Sequence, residues 1–138
     1  AGTSFVAGAY SMAESYPKVL KERSQIKEIK NYFIESLDKA KVDYELNGNL
    51  ELSSDHVLNI YFKDYKSDFL LTYLDMNGVC ASAGSACRAG SILPSHVISN
   101  MYDEYRAEHS IRFSFGYQNT KKEVDKAIAA LERLVDER

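Results

Sequence analysis

Only two of the 138 residues are cysteine and only two are proline, and no apolar run approaches the roughly 18 residues that a membrane-spanning helix needs. Two cysteines argue against a disulfide scaffold and for a reducing, cytoplasmic setting. The 17 basic and 20 acidic side chains are mixed along the chain, which leaves neither a basic patch for nucleic acid nor an acidic tail. No positively charged segment precedes an apolar one at the start, so no secretory signal is visible. These absences predict a cytoplasmic protein that binds neither nucleic acid nor membrane.

The composition fits a single folded domain, residues 1–138. Apolar residues make up 45% of the chain and charged residues 27%, which are ordinary values for a globular protein and argue against disorder. A chain of this length can bury a real core. The sequence begins with Ala1 rather than methionine, which indicates a processed chain or a part of a longer one.

Residues 78–95 form the most unusual stretch, and both cysteines lie in it. Between Val79 and Ile92 it is almost free of large side chains, and its glycines allow the backbone to bend and to approach a ligand closely. Such a segment cannot fill a core. We therefore interpret it as a pliable loop that displays a cysteine to a reaction partner.

The periodicity of apolar residues predicts the fold class. Steps of three and four predict helices over about 4–15 and 17–41, separated by Pro17, and further helices over 67–76, from 94 to about 101 and from Thr120 to about 135. Strands are predicted at 42–46, 56–62 and 110–115, with a short fourth one at 79–82. Together they predict an α+β fold in which helices pack on one face of a three- to four-stranded, mainly antiparallel sheet.

Cys87 lies in the middle of the small-residue loop, and the residues alone leave two interpretations open. Arg88 and exposed backbone N–H groups would favour a thiolate nucleophile. The alternative is a small apolar residue that is simply buried. Cys80, at the end of a predicted strand, is expected in the core. The spacing of the two cysteines with His96 and His109 matches no zinc motif, so no metal site is predicted.

Arg112 is the candidate for substrate binding. Apolar and polar residues alternate from 110 to 115, so Arg112 projects from the polar face of a strand. A guanidinium held there suits bidentate capture of a carboxylate, and an ordinary surface arginine is the alternative. His56, His96 and His109 are expected to have structural or solvent-facing roles.

Residues 83–87 (Ala-Gly-Ser-Ala-Cys), 93–97 (Leu-Pro-Ser-His-Val) and 110–116 (Ser-Ile-Arg-Phe-Ser-Phe-Gly) occur in an order and spacing that resembles the C-terminal part of cysteine desulfurases. These are pyridoxal-phosphate (PLP) enzymes of the class V aminotransferase type, and the match is to the nitrogen-fixation and iron–sulfur-assembly branch. The opening Ala1-Gly2-Thr3 also resembles the end of a conserved family segment, Arg-Ser-Gly-Thr. The resemblance covers nearly the whole chain.

The resemblance implies a function for three residues. Cys87 would take the sulfur of L-cysteine as a persulfide and release alanine, and Arg112 would bind the substrate carboxylate. Thr3 would reach the PLP phosphate of the neighbouring subunit in a homodimer. The sulfur would then pass to an iron–sulfur scaffold or another acceptor. The fold implied is the small domain of fold-type I PLP enzymes.

Some features depart from the family. No stretch resembles the preceding large domain that carries the Schiff-base lysine, so the chain resembles a detached small domain that is inactive alone. Arg88 and Ala89 stand where the family usually has Thr or Ser, and Ala83 where it has Ser or Gly. Two alternatives remain: a stand-alone module that relays persulfide sulfur or mediates an interaction, and a fragment of the related selenocysteine lyases.

Overall fold

The computed structural model describes residues 2–84 and 94–136. Within these ranges the chain forms helices and one three-stranded sheet, which confirms the predicted α+β class. In chain order the elements are α1 (Val6–Lys39), β1 (Glu45–Leu46), β2 (Val57–Tyr61), α2 (Ser67–Met76), α3 (His96–Met101), α4 (Glu104–Glu108), β3 (Ser110–Ser114) and α5 (Lys121–Asp136).

The sheet is antiparallel, with the strand order β1-β2-β3. Leu58 and Ile60 of β2 stand opposite Phe113 and Ile111 of β3, so these four side chains share one face. All four are buried. The predicted alternation of apolar and polar residues on β3 is therefore confirmed.

Helices α1, α2 and α5 cover this apolar face, as predicted. Phe33 of α1 packs its ring against those of Phe113 and Phe115, with centroids 4.9 and 5.4 Å apart. Burial of large apolar side chains is the main source of stability in such a layer. The helical residues of this core are Ile29, Phe33, Leu37, Leu70, Leu74, Val124, Ala127, Ile128, Ala130, Leu131 and Leu134.

The predicted break at Pro17 is wrong, because α1 is one continuous helix of 34 residues that includes Pro17. Proline removes one backbone hydrogen bond, to the carbonyl of Ala13, and both residues are exposed, so water can satisfy that carbonyl. Burial in α1 begins only near Ile29. The first half of the helix carries apolar side chains that are exposed in this chain, including Tyr10 and Leu20.

The predicted ends of α2 and α5 are confirmed by their capping geometry. Gly78 has a φ of 68°, its N–H bonds to the Asp75 carbonyl, and the Val79 N–H bonds to Leu74, which is a Schellman ending for α2. At the start of α5 the Thr120 N–H donates to Glu123 Oε2 at 2.7 Å, and the Glu123 N–H donates back to Thr120 Oγ1 at 3.4 Å. This is the capping box expected from the sequence.

Two strands are shorter than predicted and one helix was not predicted. The strand expected at 42–46 is limited to Glu45–Leu46, and 79–82 contributes a single isolated bridge between Ser82 and Arg112. Helix α4 was missed because it has only five residues. Asp103 caps it by accepting a hydrogen bond from the Arg106 N–H. Across residues 2–84 and 94–136, no helix is long and apolar enough to cross a membrane.

Candidate active site

The second face of the sheet carries the polar side chains. Three pairs of opposite residues lie on it: Val57 with Ser114, Asn59 with Arg112, and Tyr61 with Ser110. Tyr61 and Ser110 are buried, Asn59 and Arg112 are partly buried, and Ser114 is exposed. The face is therefore covered at one end and open at the other, with Asn59 and Arg112 at the boundary.

Arg112 is held by the chain segment that leads into the small-residue loop. Its backbone exchanges two hydrogen bonds with Ser82, with N–O distances of 3.0 and 2.7 Å. Its guanidinium donates through Nη2 to Ser82 Oγ at 3.3 Å and through Nη1 to the Gly84 carbonyl at 3.4 Å. The position on a rigid polar strand face, expected from the sequence, is confirmed.

The guanidinium of Arg112 has no carboxylate partner among the described residues, whose ion pairs all involve other cations. Two neutral oxygens occupy only part of its five N–H donors. A partly buried cation that keeps free donors is suited to bind an anion, and its planar fork matches a carboxylate best.

Cys87 lies outside the described residues, so its predicted role as a nucleophile stays a prediction. It follows Gly84, whose carbonyl accepts from Arg112, by three positions. The two predicted site residues are thus linked through the chain: Arg112 binds the segment from which the cysteine loop departs.

The prediction that Cys80 is buried is wrong, because its side chain is exposed. Val79 and Ala81 pack against the core, and the alternation of an extended chain turns Cys80 to the other side. It borders a cleft of about 390 Å³ that Lys126 and Phe113 also line. Ser114, which lies on the polar face, lines the same cleft.

A network of polar side chains that the sequence did not reveal covers the closed end of the polar face. The Arg106 guanidinium donates to Glu45 and through Nε to Asn47 Oδ1 at 2.5 Å. Asn47 Nδ2 in turn donates to Asn59 Oδ1 at 2.7 Å and to Ser110 Oγ at 2.8 Å. The single signal in the sequence is Asn59 itself, a polar residue inside an otherwise apolar strand.

The Arg106 guanidinium at the centre of this network contacts two aromatic rings and donates several hydrogen bonds. The centre of its guanidinium lies 4.6 Å from the ring of Tyr61 and 4.2 Å from that of Tyr102. Its Nη2 donates to the Leu46 carbonyl, and its side chain is only 16% exposed. Cation–π contacts and charge-assisted hydrogen bonds together hold such a group in one orientation.

The remaining polar candidates have structural or undetermined roles. His109 is buried and its Nδ1 contacts the Tyr105 carbonyl at 2.7 Å, which confirms the structural role expected for it. His56 contacts Ser54 Oγ, and His96 is exposed at the start of α3. In the described ranges, no three His, Cys, Asp or Glu side chains are placed to hold a metal ion.

Two further residues bear on a cofactor. Thr3 is exposed, with no hydroxyl hydrogen bond in the described part of the chain. Lys30 is the buried lysine there: its ammonium donates to Ser53 Oγ and the Ser54 carbonyl, each at 2.8 Å, and burial lowers its pKa while Asp55 acts in the opposite sense. These bonds tie α1 to the loop before β2, so Lys30 serves the fold.

The family model for aminotransferase class V matches residues 1–127. The chain belongs to the class V aminotransferase family. It is 44% identical to "Putative cysteine desulfurase IscS 1" of Bacillus subtilis over 133 residues, and 33% identical to cysteine desulfurase IscS of Dictyoglomus turgidum over 141 residues. These matches cover 92% and 99% of this chain but 35% and 36% of the relatives, so the chain spans about a third of their length.

Solved structures show the same fold. A NifS-like protein superposes with a TM-score of 0.78 at 21% identity, and the match covers 100% of this chain and 36% of that one. The NifS-like protein of Rickettsia africae gives a TM-score of 0.72 at 22% identity over 99% of this chain and 36% of that one. The family model and the curated relatives confirm the resemblance to class V cysteine desulfurases.

The relatives depend on PLP. Lys30 is bonded inside the fold, and Thr3 is exposed without a hydroxyl hydrogen bond in the described ranges, so neither is placed here to hold the cofactor. What the chain does provide is the partly buried guanidinium of Arg112, which has no carboxylate partner in the described ranges.

Proposed function

We propose that this chain is the cysteine-bearing, C-terminal small domain of a cytoplasmic, homodimeric cysteine desulfurase. In the complete enzyme Cys87 takes the sulfur of L-cysteine as a persulfide, alanine is released, and the sulfur passes on for iron–sulfur cluster or other sulfur assembly. The large domain with the PLP lysine is not part of this sequence. The observation that carries the proposal is the partly buried Arg112, free of a carboxylate partner among the described residues and bonded to the base of the cysteine loop.

The division of labour follows from the chemistry of the two side chains. Arg112 binds the α-carboxylate through its planar fork and so fixes one end of the amino acid. Cys87 then acts on the other end, where the substrate sulfur lies, and it must be ionised to do so. A reducing compartment keeps that thiol available. Thr3, exposed ahead of α1, is proposed to contact the PLP phosphate in the neighbouring subunit.

The test uses the two cysteines as a matched pair in the complete enzyme. Cys87→Ser is expected to abolish alanine release from L-cysteine and the persulfide adduct seen by intact-mass spectrometry. Cys80→Ser, the same change at an exposed thiol seven positions earlier in the chain, is expected to leave both unchanged. Normal sulfur transfer by Cys87→Ser would refute the assignment.

A further inference from the structure

Asn59 is the neighbour of Arg112 on the open part of the polar face. The two residues are directly opposite each other on β2 and β3. Side chains in that relationship have Cβ atoms about 4.5–5.5 Å apart, close enough to touch one small ligand. A group bound by the guanidinium of Arg112 is therefore within reach of the Asn59 amide, provided that the amide presents the right atom.

Which atom it presents is decided elsewhere, beginning at Arg106. A guanidinium has only donors, so the atom of Asn47 that Arg106 Nε contacts must be the oxygen. Asn47 consequently points its Nδ2 at Asn59 and Ser110. Ser110 gives a second constraint: its hydroxyl proton is donated to the Arg106 carbonyl at 2.6 Å, so its oxygen can only accept from Asn47.

Asn59 must then turn its oxygen towards Asn47 Nδ2. Its own Nδ2 is left at the other end of the amide, without a hydrogen bond in the described part of the chain. No buried side-chain nitrogen or oxygen in that part lacks a partner, so this Nδ2 is open to solvent. The network from Arg106 through Asn47 thus leaves two N–H donors of Asn59 without a partner in the described ranges, on the face that carries Arg112.

We propose that Asn59 Nδ2 is a second donor to the carboxylate that Arg112 binds, and that Arg106 and Asn47 are positioning residues that fix its orientation. The proposal rests on the proposed function, because it uses the same carboxylate. It adds a neutral donor to the cation, so that an anion is contacted from both strands. An amide in the reversed orientation would present Oδ1 and repel the carboxylate.

The test measures the affinity of the complete holoenzyme for L-alanine by isothermal titration calorimetry. Asn59→Ala removes the donor and is expected to weaken binding about tenfold, since hydrogen bonds to charged groups are among the stronger ones. Asn47→Asp keeps size and the bond to Arg106 but presents an oxygen to Asn59, which must reverse its amide. It is expected to weaken binding by a similar factor without touching the ligand, a result that loss of packing does not produce.

Asn77→Asp is the matched control. Asn77 also accepts from an arginine, Arg133, at 2.8 Å and donates through Nδ2, to the Tyr73 carbonyl at 2.9 Å, but it caps α2 away from the polar face. It is expected to leave L-alanine affinity unchanged. Melting temperatures of all variants verify that they are folded. If Asn59→Ala does not fold, the affinity of Asn47→Asp decides the test.

The Arg112→Ala background separates this proposal from the proposed function. Two groups that bind one carboxylate are coupled, so Asn59→Ala should cost much less once Arg112 is removed. Two results would refute the role of Asn59 and leave that of Arg112 intact. One is an equally large effect of Asn59→Ala in the Arg112→Ala background. The other is wild-type affinity of Asn59→Ala or Asn47→Asp while Arg112→Ala binds weakly. Wild-type affinity of Arg112→Ala refutes the carboxylate site itself, and Asn59 with it.

Discussion

Ser82 and Arg112 are joined by three hydrogen bonds, two between their backbones and one from Arg112 Nη2 to Ser82 Oγ. Only this bridge extends the sheet beyond β3 in the described ranges. Because Ser82 belongs to the segment that enters the cysteine loop, the residue proposed to bind substrate also fixes one end of the loop. The proposed contact with substrate and the contacts with Ser82 and Gly84 thus belong to one side chain.

Substitution of Arg112 should weaken substrate binding more when both the charge and the planar fork are lost than when only the fork is lost. In the complete enzyme Arg112→Ala is expected to lower kcat/KM for L-cysteine about 100-fold, roughly 2.7 kcal/mol, mainly through KM, because a charge-assisted pair is removed. Arg112→Lys keeps the charge but loses the fork, and about tenfold is expected. The control is Arg133→Ala, which removes an arginine bonded to Asn77 at the end of α2. Steady-state kinetics unchanged in Arg112→Ala would contradict the assignment.

The 138-residue chain alone should be inactive. Incubated with L-cysteine and PLP, it is expected to release no alanine and to gain no sulfur by intact-mass spectrometry, because no stretch of it resembles the large domain that carries the Schiff-base lysine. Release of alanine would show that the cofactor chemistry resides within these residues. Mixing with the separately produced large domain serves as the positive control.

Acid should weaken the start of α5 through Glu123. The backbone N–H of Thr120, followed by its hydroxyl, holds the pKa of Glu123 below its ordinary value of 4.5. A depressed pKa stabilises the fold above the unfolded-state value, and this contribution is lost as the pH falls through the folded-state value. Urea midpoints of this chain measured from pH 6 to pH 3 are expected to fall less steeply in Glu123→Gln, which keeps the bond to Thr120 but does not titrate there.

The same change at Glu132 is the control for this experiment. Glu132 is an exposed residue of the same helix, with no hydrogen-bond partner among the described residues. Glu132→Gln should keep the wild-type slope. Equal slopes for wild type and Glu123→Gln would show that the capping box does not contribute to acid sensitivity.

Alanine at Gly78 should destabilise the chain more than alanine at Gly48. Both glycines have positive φ, 68° and 87°, where an alanine is strained by about 1–2 kcal/mol. A Cβ on Gly78 would also lie 2.7 Å from Lys126 Nζ, whereas nothing lies within 4 Å at Gly48. Urea unfolding should therefore rank Gly78→Ala below Gly48→Ala, and Lys126→Ala should reduce the difference between them. The reverse ranking would show that the approach of Lys126 to Gly78 does not add to the cost of an alanine there.

Local signals allowed the sequence to predict most of the fold. Alternation from 110 to 115 placed Arg112 on a polar face, and the spacing of Thr120 and Glu123 located the start of α5. The break at Pro17 was wrong because one missing hydrogen bond in an exposed stretch does not end a helix. Cys80 was misplaced because a cysteine reads as apolar, while the alternation around it decides which side it faces.

The candidate site was only half predictable, for a different reason. Asn59 contacts Asn47, 12 positions away, and Asn47 contacts Arg106, 59 positions away. No periodicity within one element encodes such contacts, since they depend on strand register and on where α4 begins. Arg112 was accessible from one strand alone. Its neighbours became visible only when three separate parts of the chain were brought together.

The amides of Asn47 and Asn59 matter through which end donates a hydrogen bond and which end accepts one. The ends of an amide are almost the same size, and at ordinary resolution electron density does not distinguish its oxygen from its nitrogen. Reversal of both amides exchanges donors for acceptors without requiring a shift of the backbone. The amide beside Arg112 would then present an acceptor instead of a donor, which makes the site less favourable to an anion while the outline of the molecule stays the same.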